Sequence, residues 1–135
     1  YDLLMAKEFN HKIKIYYEDT DSGGVVYYAN YLKYLERARS EAIYSLGLSN
    51  SKLHKDYGAL IIVKSCNINY KKPAKFEDNL EIFSSVISKT RTSFSMSQII
   101  KRNEEIISEA EVQLVTVNDE GKPIKIPEVL LKLFD

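Results

Sequence analysis

The sequence has few of the residues that build cross-linked, repetitive or linker-rich proteins. It contains one cysteine, no tryptophan, three prolines and five glycines among 135 residues. A single cysteine cannot close a disulfide within the chain, which favours a reducing compartment and predicts a cytoplasmic location. The prolines and glycines are isolated and no segment repeats, so we expect residues 1–135 to form one domain with its own core.

An excess of charge of one sign is also absent, as are long apolar runs. Nineteen Lys and Arg residues balance nineteen Asp and Glu residues. Proteins that bind nucleic acid concentrate positive charge, so we expect no nucleic-acid partner. No apolar run approaches the roughly 18 residues that cross a bilayer. The first ten residues lack the pattern of a signal peptide. The sequence therefore predicts no transmembrane segment.

The spacing of apolar residues predicts both helices and strands. Apolar and polar side chains alternate over residues 11–17, as in a half-buried strand. Apolar residues recur every three or four positions over residues 28–46, which predicts the longest helix, and Gly47 is placed to end it in a left-handed conformation. We further expect a short helix at 49–56, strands at 60–70, 80–87, 92–102 and 106–117, and a terminal helix at 127–134.

This order of elements predicts an α+β fold. One long helix has to cover one face of a five-stranded antiparallel sheet, so we expect the sheet to curl around the helix. Short turns join the last three strands, which predicts an antiparallel meander. The strand at 60–70 begins apolar on both faces, which is typical of a central strand, and its alternation predicts that Cys66 is a small core residue.

The segment that suggests chemistry joins the first strand to the long helix and reads EDTDSGG over residues 18–24. Its two glycines lack side chains, so a substrate could approach the main chain closely at Gly24. The free N–H groups at the start of the helix, around residues 27–30, favour negative charge. A carboxylate facing such donors can act on a carbonyl whose oxygen becomes negative. Asp21 is the acid closer to the helix, and Asp19 lies two residues before it.

Other interpretations of these acids have to be weighed. Asp19 and Asp21 also suit helix-capping or turn positions, a common role of acids before glycine. A calcium loop that began at Asp19 would place Gly23 at the fifth position and Asn30 at the twelfth, where the loop needs stronger oxygen ligands. The two histidines have no metal-ligand spacing. We expect neither a metal nor another cofactor.

One long segment carries a resemblance to a known family. Residues 16–41 read YYEDTDSGGVVYYANYLKYLERARSE. This run resembles the active-site signature of the 4-hydroxybenzoyl-CoA thioesterase superfamily, most closely its YbgC branch of acyl-CoA thioesterases. The resemblance continues through residues 61–82 and 89–94. It implies a hot-dog fold, with homodimers formed by sheet continuation that assemble into homotetramers. Tyr28 stands where YbgC relatives usually have histidine, whereas the 4-hydroxybenzoyl-CoA branch accepts tyrosine.

The resemblance implies an enzyme that hydrolyses short- to medium-chain or aromatic acyl-CoA to free acid and CoA. Asp21 matches the catalytic aspartate, as nucleophile or as general base, and Tyr28 opens the helix whose backbone N–H polarises the thioester carbonyl. Hydratase chemistry is disfavoured because such relatives use a histidine near the helix start. The alternative function is a non-catalytic hot-dog protein that binds acyl-CoA or acts as a scaffold.

Binding residues are expected from the same resemblance and from the predicted faces of the elements. Lys89 and Arg91 match an outer-strand position that contacts the nucleotide phosphates of CoA. The acyl pocket is expected between the strand start at 60–63, which includes Val63, and the helix face that carries Tyr31. With Gly24, these residues complete the predicted substrate site.

Overall fold

The computed structural model describes residues 7–134 as a sheet with two α-helices and two short 3-10 helices. Residues 1–6, on which the expected absence of a signal peptide partly rests, and residue 135 lie outside the described residues. The strands are β1 (Glu8–Lys14), β2 (Leu60–Tyr70), β3 (Asn79–Lys89), β4 (Ser93–Arg102) and β5 (Glu105–Val117); the α-helices are α1 (Asn30–Ser45) and α2 (Asn50–Tyr57); the 3-10 helices are Tyr17–Asp19 and Glu128–Leu133.

The five strands form one antiparallel sheet in the order β1-β3-β4-β5-β2. β3, β4 and β5 form the predicted meander, and β1 lies against β3, with Lys14 opposite Asn79. β2 pairs with β5, with Tyr70 opposite Ser108. The prediction of a central strand at 60–70 is wrong, because β2 is an edge strand of this sheet. Cys66 on β2 is exposed and is not the core residue that alternation predicted.

The long helix α1 fills the concave face of the sheet. Its buried side chains recur every three or four residues, as the sequence predicted: Tyr31, Tyr34, Leu35, Ala38, Ala42 and Ile43. They pack in one core with sheet residues such as Ile82, Met96 and Ile100, each at most 2% exposed. Burying a side chain of this size stabilises a fold by about 1.5–3 kcal/mol. The helix is therefore held mainly by its apolar face.

The predicted end of α1 is confirmed in detail. Gly47 has a φ of +79°, and its N–H donates to the Tyr44 carbonyl at 2.9 Å. The Leu48 N–H donates to the Ile43 carbonyl at 3.3 Å, and the Leu48 side chain packs against the core. These two bonds satisfy two of the carbonyls that the end of the helix leaves free.

A buried polar side chain also joins α1 to the sheet. Gln98 on β4 is fully buried, and its amide Nε2 donates to the Leu35 carbonyl and to Ser84 Oγ, both at 3.0 Å. Its Oε1 accepts a hydrogen bond from Arg39 Nη1, also at 3.0 Å. A buried amide with all these partners fixes the position of the helix over the sheet.

Two predicted elements differ from the structure at the ends of the described chain. The first strand ends at Lys14 rather than at Tyr17, because the Tyr16 N–H donates to Asp19 Oδ2 at 2.8 Å and turns the chain into a 3-10 helix. The terminal helix is a 3-10 helix that follows Pro127. None of the helices within residues 7–134 is long and apolar enough to cross a membrane.

Candidate active site

A closed loop between β1 and α1 carries the predicted catalytic residues. Thr20 and Val26 form an antiparallel bridge, and the Asp21 N–H donates to the Val25 carbonyl at 2.9 Å. Within this loop the Gly24 N–H donates to the Asp21 carbonyl at 3.0 Å. Asp21 is therefore the first residue of the turn that closes this loop, nine residues before α1.

The Asp21 carboxylate is held by one oxygen. Its Oδ1 accepts a hydrogen bond from the Gly23 N–H at 2.8 Å. Its Oδ2 has no hydrogen-bond partner among residues 7–134. Asp21 therefore has the turn role that acids before glycine often take, and this role orients its side chain while the second oxygen stays open to solvent and to a ligand.

Asp19, the second acid, supports the structure around the helix start. Its Oδ2 accepts the Tyr16 N–H, and its carbonyl accepts hydrogen bonds from Asn30 Nδ2 at 2.9 Å and from the Tyr27 N–H at 3.1 Å. The buried Tyr34 hydroxyl lies beside its carboxylate without a hydrogen bond of normal geometry, and burial and this negative neighbour raise the pKa of Tyr34. Asp19 is thereby occupied by internal contacts.

The turn that leads into α1, which begins at Asn30 and not at Tyr28 as predicted, leaves two backbone donors free. The N–H groups of Tyr27 and Asn30 are used, by the carbonyls of Asp19 and Tyr27 respectively. Those of Tyr28 and Ala29 have no acceptor within the described part of the chain. Free donors at a helix N-terminus, reinforced by the helix dipole, favour a negatively charged oxygen. Of the four donors predicted around residues 27–30, two are available.

Tyrosine rings form a depression of about 260 Å³ beside this helix start. The Tyr70 hydroxyl donates to the Tyr28 carbonyl at 3.3 Å, and the Tyr70 ring lies 5.2 Å from that of Tyr31. Tyr31 is buried, which raises its pKa, and its hydroxyl oxygen accepts a hydrogen bond from the Ala74 N–H at 3.1 Å. Tyr31 therefore lines the depression at the helix start.

A second pocket, of about 140 Å³, lies at the other end of α1. Its walls are mostly apolar, and its polar lining includes Glu36 and Arg39. Tyr28 and Arg39 are separated by eleven residues, which is about 16 Å along a helix. Apolar lining residues include Ile43, Ile61, Val63, Met96, Leu114 and Leu133. Within one chain, Asp21 thus lies near the start of α1, whereas Val63 lies near its other end.

The predicted phosphate-binding residues lie at the same end as this second pocket. Lys89 ends β3, and its Nζ lies 5.1 Å from the centre of the Phe134 ring. Arg91 is in the following turn, where its carbonyl accepts the Ile126 N–H at 2.9 Å. β3 extends about 33 Å from Asn79 to Lys89, and the Asn79 end is the one near the Asp21 loop. One chain alone does not bring Lys89 or Arg91 to Asp21.

Sequence reasoning missed the segment that supports the loop carrying Asp21. Residues 71–78 read KKPAKFED, and a charged run of this kind is typical of a solvated loop. In the structure Lys75 forms a bridge with Val25, and the Val26 N–H donates to the Ala74 carbonyl at 2.8 Å. No pattern in the sequence signals this contact, because it joins residues about fifty positions apart.

The five-stranded antiparallel sheet with one long helix on its concave face is a hot-dog fold. Residues 16–134 match the family model of the thioesterase-like superfamily. A crystal structure of a mutant 4-hydroxybenzoyl CoA thioesterase with bound 4-hydroxybenzoyl CoA superposes with a TM-score of 0.88. The superposition covers 96% of this chain and 100% of the thioesterase chain. At 21% sequence identity, this likeness shows the fold alone.

Curated relatives place the chain more narrowly. Acyl-CoA thioesterase YbgC of Haemophilus influenzae is 33% identical over 132 residues, which is 97% of each chain. Acyl-CoA thioester hydrolase YbgC of Escherichia coli is 35% identical over 128 residues, covering 93% of this chain and 95% of the relative. The chain belongs to the YbgC acyl-CoA thioesterases of the thioesterase-like superfamily and is a thioester hydrolase.

Proposed function

We propose that this enzyme hydrolyses short- to medium-chain or aromatic acyl-CoA with Asp21 as the catalytic carboxylate. One observation carries the proposal: Asp21 Oδ1 is fixed by the Gly23 N–H while Oδ2 is free, and the turn into the helix that follows has two unused donors. A carboxylate and backbone donors on one loop supply what attack on a thioester carbonyl requires.

The chemistry needs no histidine. Asp21 either attacks the carbonyl carbon to give a mixed anhydride, which water then hydrolyses, or removes a proton from the water that attacks. In both cases the carbonyl oxygen becomes negative and accepts the Tyr28 N–H. Loss of one such donor costs about 3–4 kcal/mol in other enzymes. Collapse of the tetrahedral intermediate expels CoA as a thiolate, and a thiol pKa of about 8.5 makes that group leave without a strong acid.

A homodimer formed through β2 would unite the two ends of the site. Among the strands of residues 7–134, β2 has a free edge, and Leu60, Ile62 and Val63 on it are 38%, 45% and 48% exposed. Antiparallel pairing of two β2 strands about their middle sets the Tyr70 end of one chain against the Ile62 end of the other. Because Tyr70 contacts Tyr28, this arrangement carries the helix start of one chain toward the second pocket of its partner.

In that dimer each predicted residue has a place in one composite site. Asp21, Gly24, Tyr28 and Tyr31 come from one chain, and Val63, Lys89 and Arg91 come from the other. Lys89 and Arg91 would contact the phosphates of CoA. Two dimers would form a homotetramer, for which the small side chains on the outer face of β4 leave room.

The volume of the second pocket supports a small acyl group. An apolar cavity of about 150 Å³ holds one benzene molecule. The pocket of about 140 Å³ therefore suits a single aromatic ring or a short aliphatic chain. We expect long-chain acyl-CoA to be hydrolysed more slowly than these.

The test is thiol release from short-chain, long-chain and aromatic acyl-CoA by the wild type and by Asp21→Asn. We expect the substitution to lower turnover at least about 100-fold, because the amide is neither a base nor a nucleophile. Cys66 is exposed and would react with a thiol reagent, so the assay is run in a Cys66→Ser background.

Asp19→Asn is the matched control. The substitution keeps the backbone carbonyl of residue 19, which accepts from the Asn30 side chain at the helix start. The new amide oxygen can still accept the hydrogen bond of the Tyr16 N–H. We expect turnover within several-fold of the wild type. Full activity of Asp21→Asn, or loss of activity in Asp19→Asn alone, would refute the assignment. Binding of acyl-CoA by the wild type without any thiol release would instead support the alternative function, a non-catalytic protein that binds acyl-CoA.

A further inference from the structure

Residues 73–78 form a loop, here called the 73–78 loop, which packs against residues 20–26, the loop that carries Asp21 and is here called the catalytic loop. The Ala74 carbonyl accepts the Val26 N–H at 2.8 Å, and the Ala74 N–H donates to the Tyr31 hydroxyl at 3.1 Å. Lys75 forms an antiparallel bridge with Val25. The loop thus holds the residues that follow Gly24 and the first turn of α1, which are the two sides of the proposed site.

The 73–78 loop has a backbone conformation that requires support. Glu77 has a φ of +68°, which residues with a side chain rarely adopt. Its N–H donates to the Ile15 carbonyl, and the Ile15 N–H donates to the Asp78 carbonyl, both at 2.9 Å. Strained conformations of this kind persist where the surrounding contacts determine them.

Arg102, at the end of β4, contacts both ends of this loop. Its Nη1 donates to Asp78 Oδ2 at 2.6 Å and to the Pro73 carbonyl at 3.2 Å. Asp78 Oδ2 also accepts the Lys75 N–H at 2.8 Å. The Arg102 and Asp78 side chains are 23% and 21% exposed, so water screens this pair less than an ordinary surface pair.

A second carboxylate fixes the guanidinium itself. Arg102 Nη2 donates to Glu105 Oε1, and Glu105 Oε2 accepts from Lys72 Nζ at 2.6 Å. The planar fork of arginine serves three acceptors at once, which the single nitrogen of lysine cannot do in the same geometry. The network therefore joins the β4–β5 turn to the 73–78 loop, and through it to the catalytic loop.

We propose that Arg102 is a positioning residue for thioester hydrolysis, which acts through the 73–78 loop on the Asp21 loop and on the start of α1. The inference rests on the proposed function. Arg102 itself contacts neither Asp21 nor Tyr28. Its effect comes from holding Pro73 and Asp78, which flank Ala74 and Lys75, and the backbone groups of these two residues fix Val26 and Val25. A small displacement of a catalytic group can lower a rate by about 100-fold.

The test compares Arg102→Met, Arg102→Lys and the control Lys101→Met. Lys101 is the neighbouring residue, and its Nζ lies 5.1 Å from the centre of the Phe83 ring, away from the 73–78 loop. kcat and KM are measured by thiol release well below the unfolding temperature. Hydrogen exchange of the Val26 amide is followed beside that of amides in the centre of β4.

We expect kcat of Arg102→Met to fall about 10- to 100-fold with KM within about twofold, because positioning rather than binding is lost. Exchange at Val26 should accelerate at least about tenfold while the centre of β4 stays protected. Arg102→Lys should recover part of kcat, and Lys101→Met should match the wild type. A merely structural arginine would lower the unfolding temperature without these changes.

Wild-type kcat in folded Arg102→Met, or unchanged exchange at Val26, would overturn the proposal. If Arg102→Met does not fold, Asp78→Asn takes its place, since it weakens the same contact and keeps an acceptor. For Asp78→Asn we expect a smaller fall in kcat, an unchanged KM and faster exchange at Val26. An unchanged kcat in this variant overturns the proposal. Failure of the proposed function is seen separately, as absence of thiol release by the wild type, and the exchange measurement does not depend on it.

Discussion

Two neighbouring glycines shape the Asp21 loop in different ways. A side chain at Gly23 would place its Cβ 3.2 Å from Asp21 Oδ1, so the carboxylate would have to shift. At Gly24 the space is open, and the constraint is a φ of +79°. The loop therefore depends on close approach at one position and on a left-handed backbone at the next.

Gly24→Ala tests the second requirement, with Gly121→Ala as a control of equal strain. Gly121 has a φ of +78° and open space around it, but it lies in the turn after β5. We expect each variant to lose about 1 kcal/mol of stability, because alanine is disfavoured at such angles. Only Gly24→Ala should also lower kcat, because the loop that carries Asp21 would shift to relieve the strain at residue 24.

Chemical denaturation and thiol release on both variants check this prediction. Equal losses of stability with a selective loss of kcat in Gly24→Ala are expected. Equal kcat values in the two variants would show that the conformation of Gly24 does not bear on catalysis.

At the scale of elements, Gln98 is the polar contact that joins α1 to the sheet. It is fully buried and serves Leu35, Ser84 and Arg39 at once. Arg39 is partly buried, and this burial lowers the pKa of its guanidinium. Replacement of Gln98 by an apolar residue would therefore leave a poorly hydrated charge and a buried hydroxyl without this partner.

Gln98→Leu is expected to lower the free energy of unfolding by about 3 kcal/mol, although leucine fills similar space. Gln113→Leu is the matched control, because Gln113 on β5 is only half-buried and faces Ser65 on the outer side of the sheet. We expect it to change stability by less than about 1 kcal/mol. Urea unfolding followed by circular dichroism measures both. Similar values would mean that the Gln98 network adds little to stability.

At the scale of the whole molecule, the proposed composite site predicts complementation between two inactive chains. In one variant chain, Val63→Arg should block the acyl pocket. In the second variant chain, Asp21→Asn should remove the catalytic carboxylate. A mixed dimer then has one site in which Asp21 and Val63 are both intact. Random mixing should restore about a quarter of the wild-type sites if each site is shared between two chains.

The measurement is thiol release after co-expression and after mixing of the purified variants. Each variant alone should be inactive and should elute as an oligomer on size-exclusion chromatography. Absence of any recovery in a mixture that has exchanged subunits would place the whole site within one chain.

Much of this architecture could be predicted from local patterns. The three- and four-residue spacing of Leu35, Ala38 and Ala42 predicted the core helix, and Gly47 marked its end, because both signals depend on neighbouring residues. The position of β2 could not be predicted in this way. An apolar edge strand and an apolar central strand have the same pattern, and only the sheet order distinguishes them.

By itself, the sequence determined the helix, the meander, the family signature and the loop that carries Asp21, since each is encoded within a short stretch of residues. The tertiary structure alone decided which donors at the helix start stay free, that Lys89 and Arg91 lie far from Asp21 in one chain, and that Arg102 contacts the 73–78 loop at Pro73 and Asp78. These facts depend on contacts between residues distant in the chain, which the packing of the helix against the sheet creates.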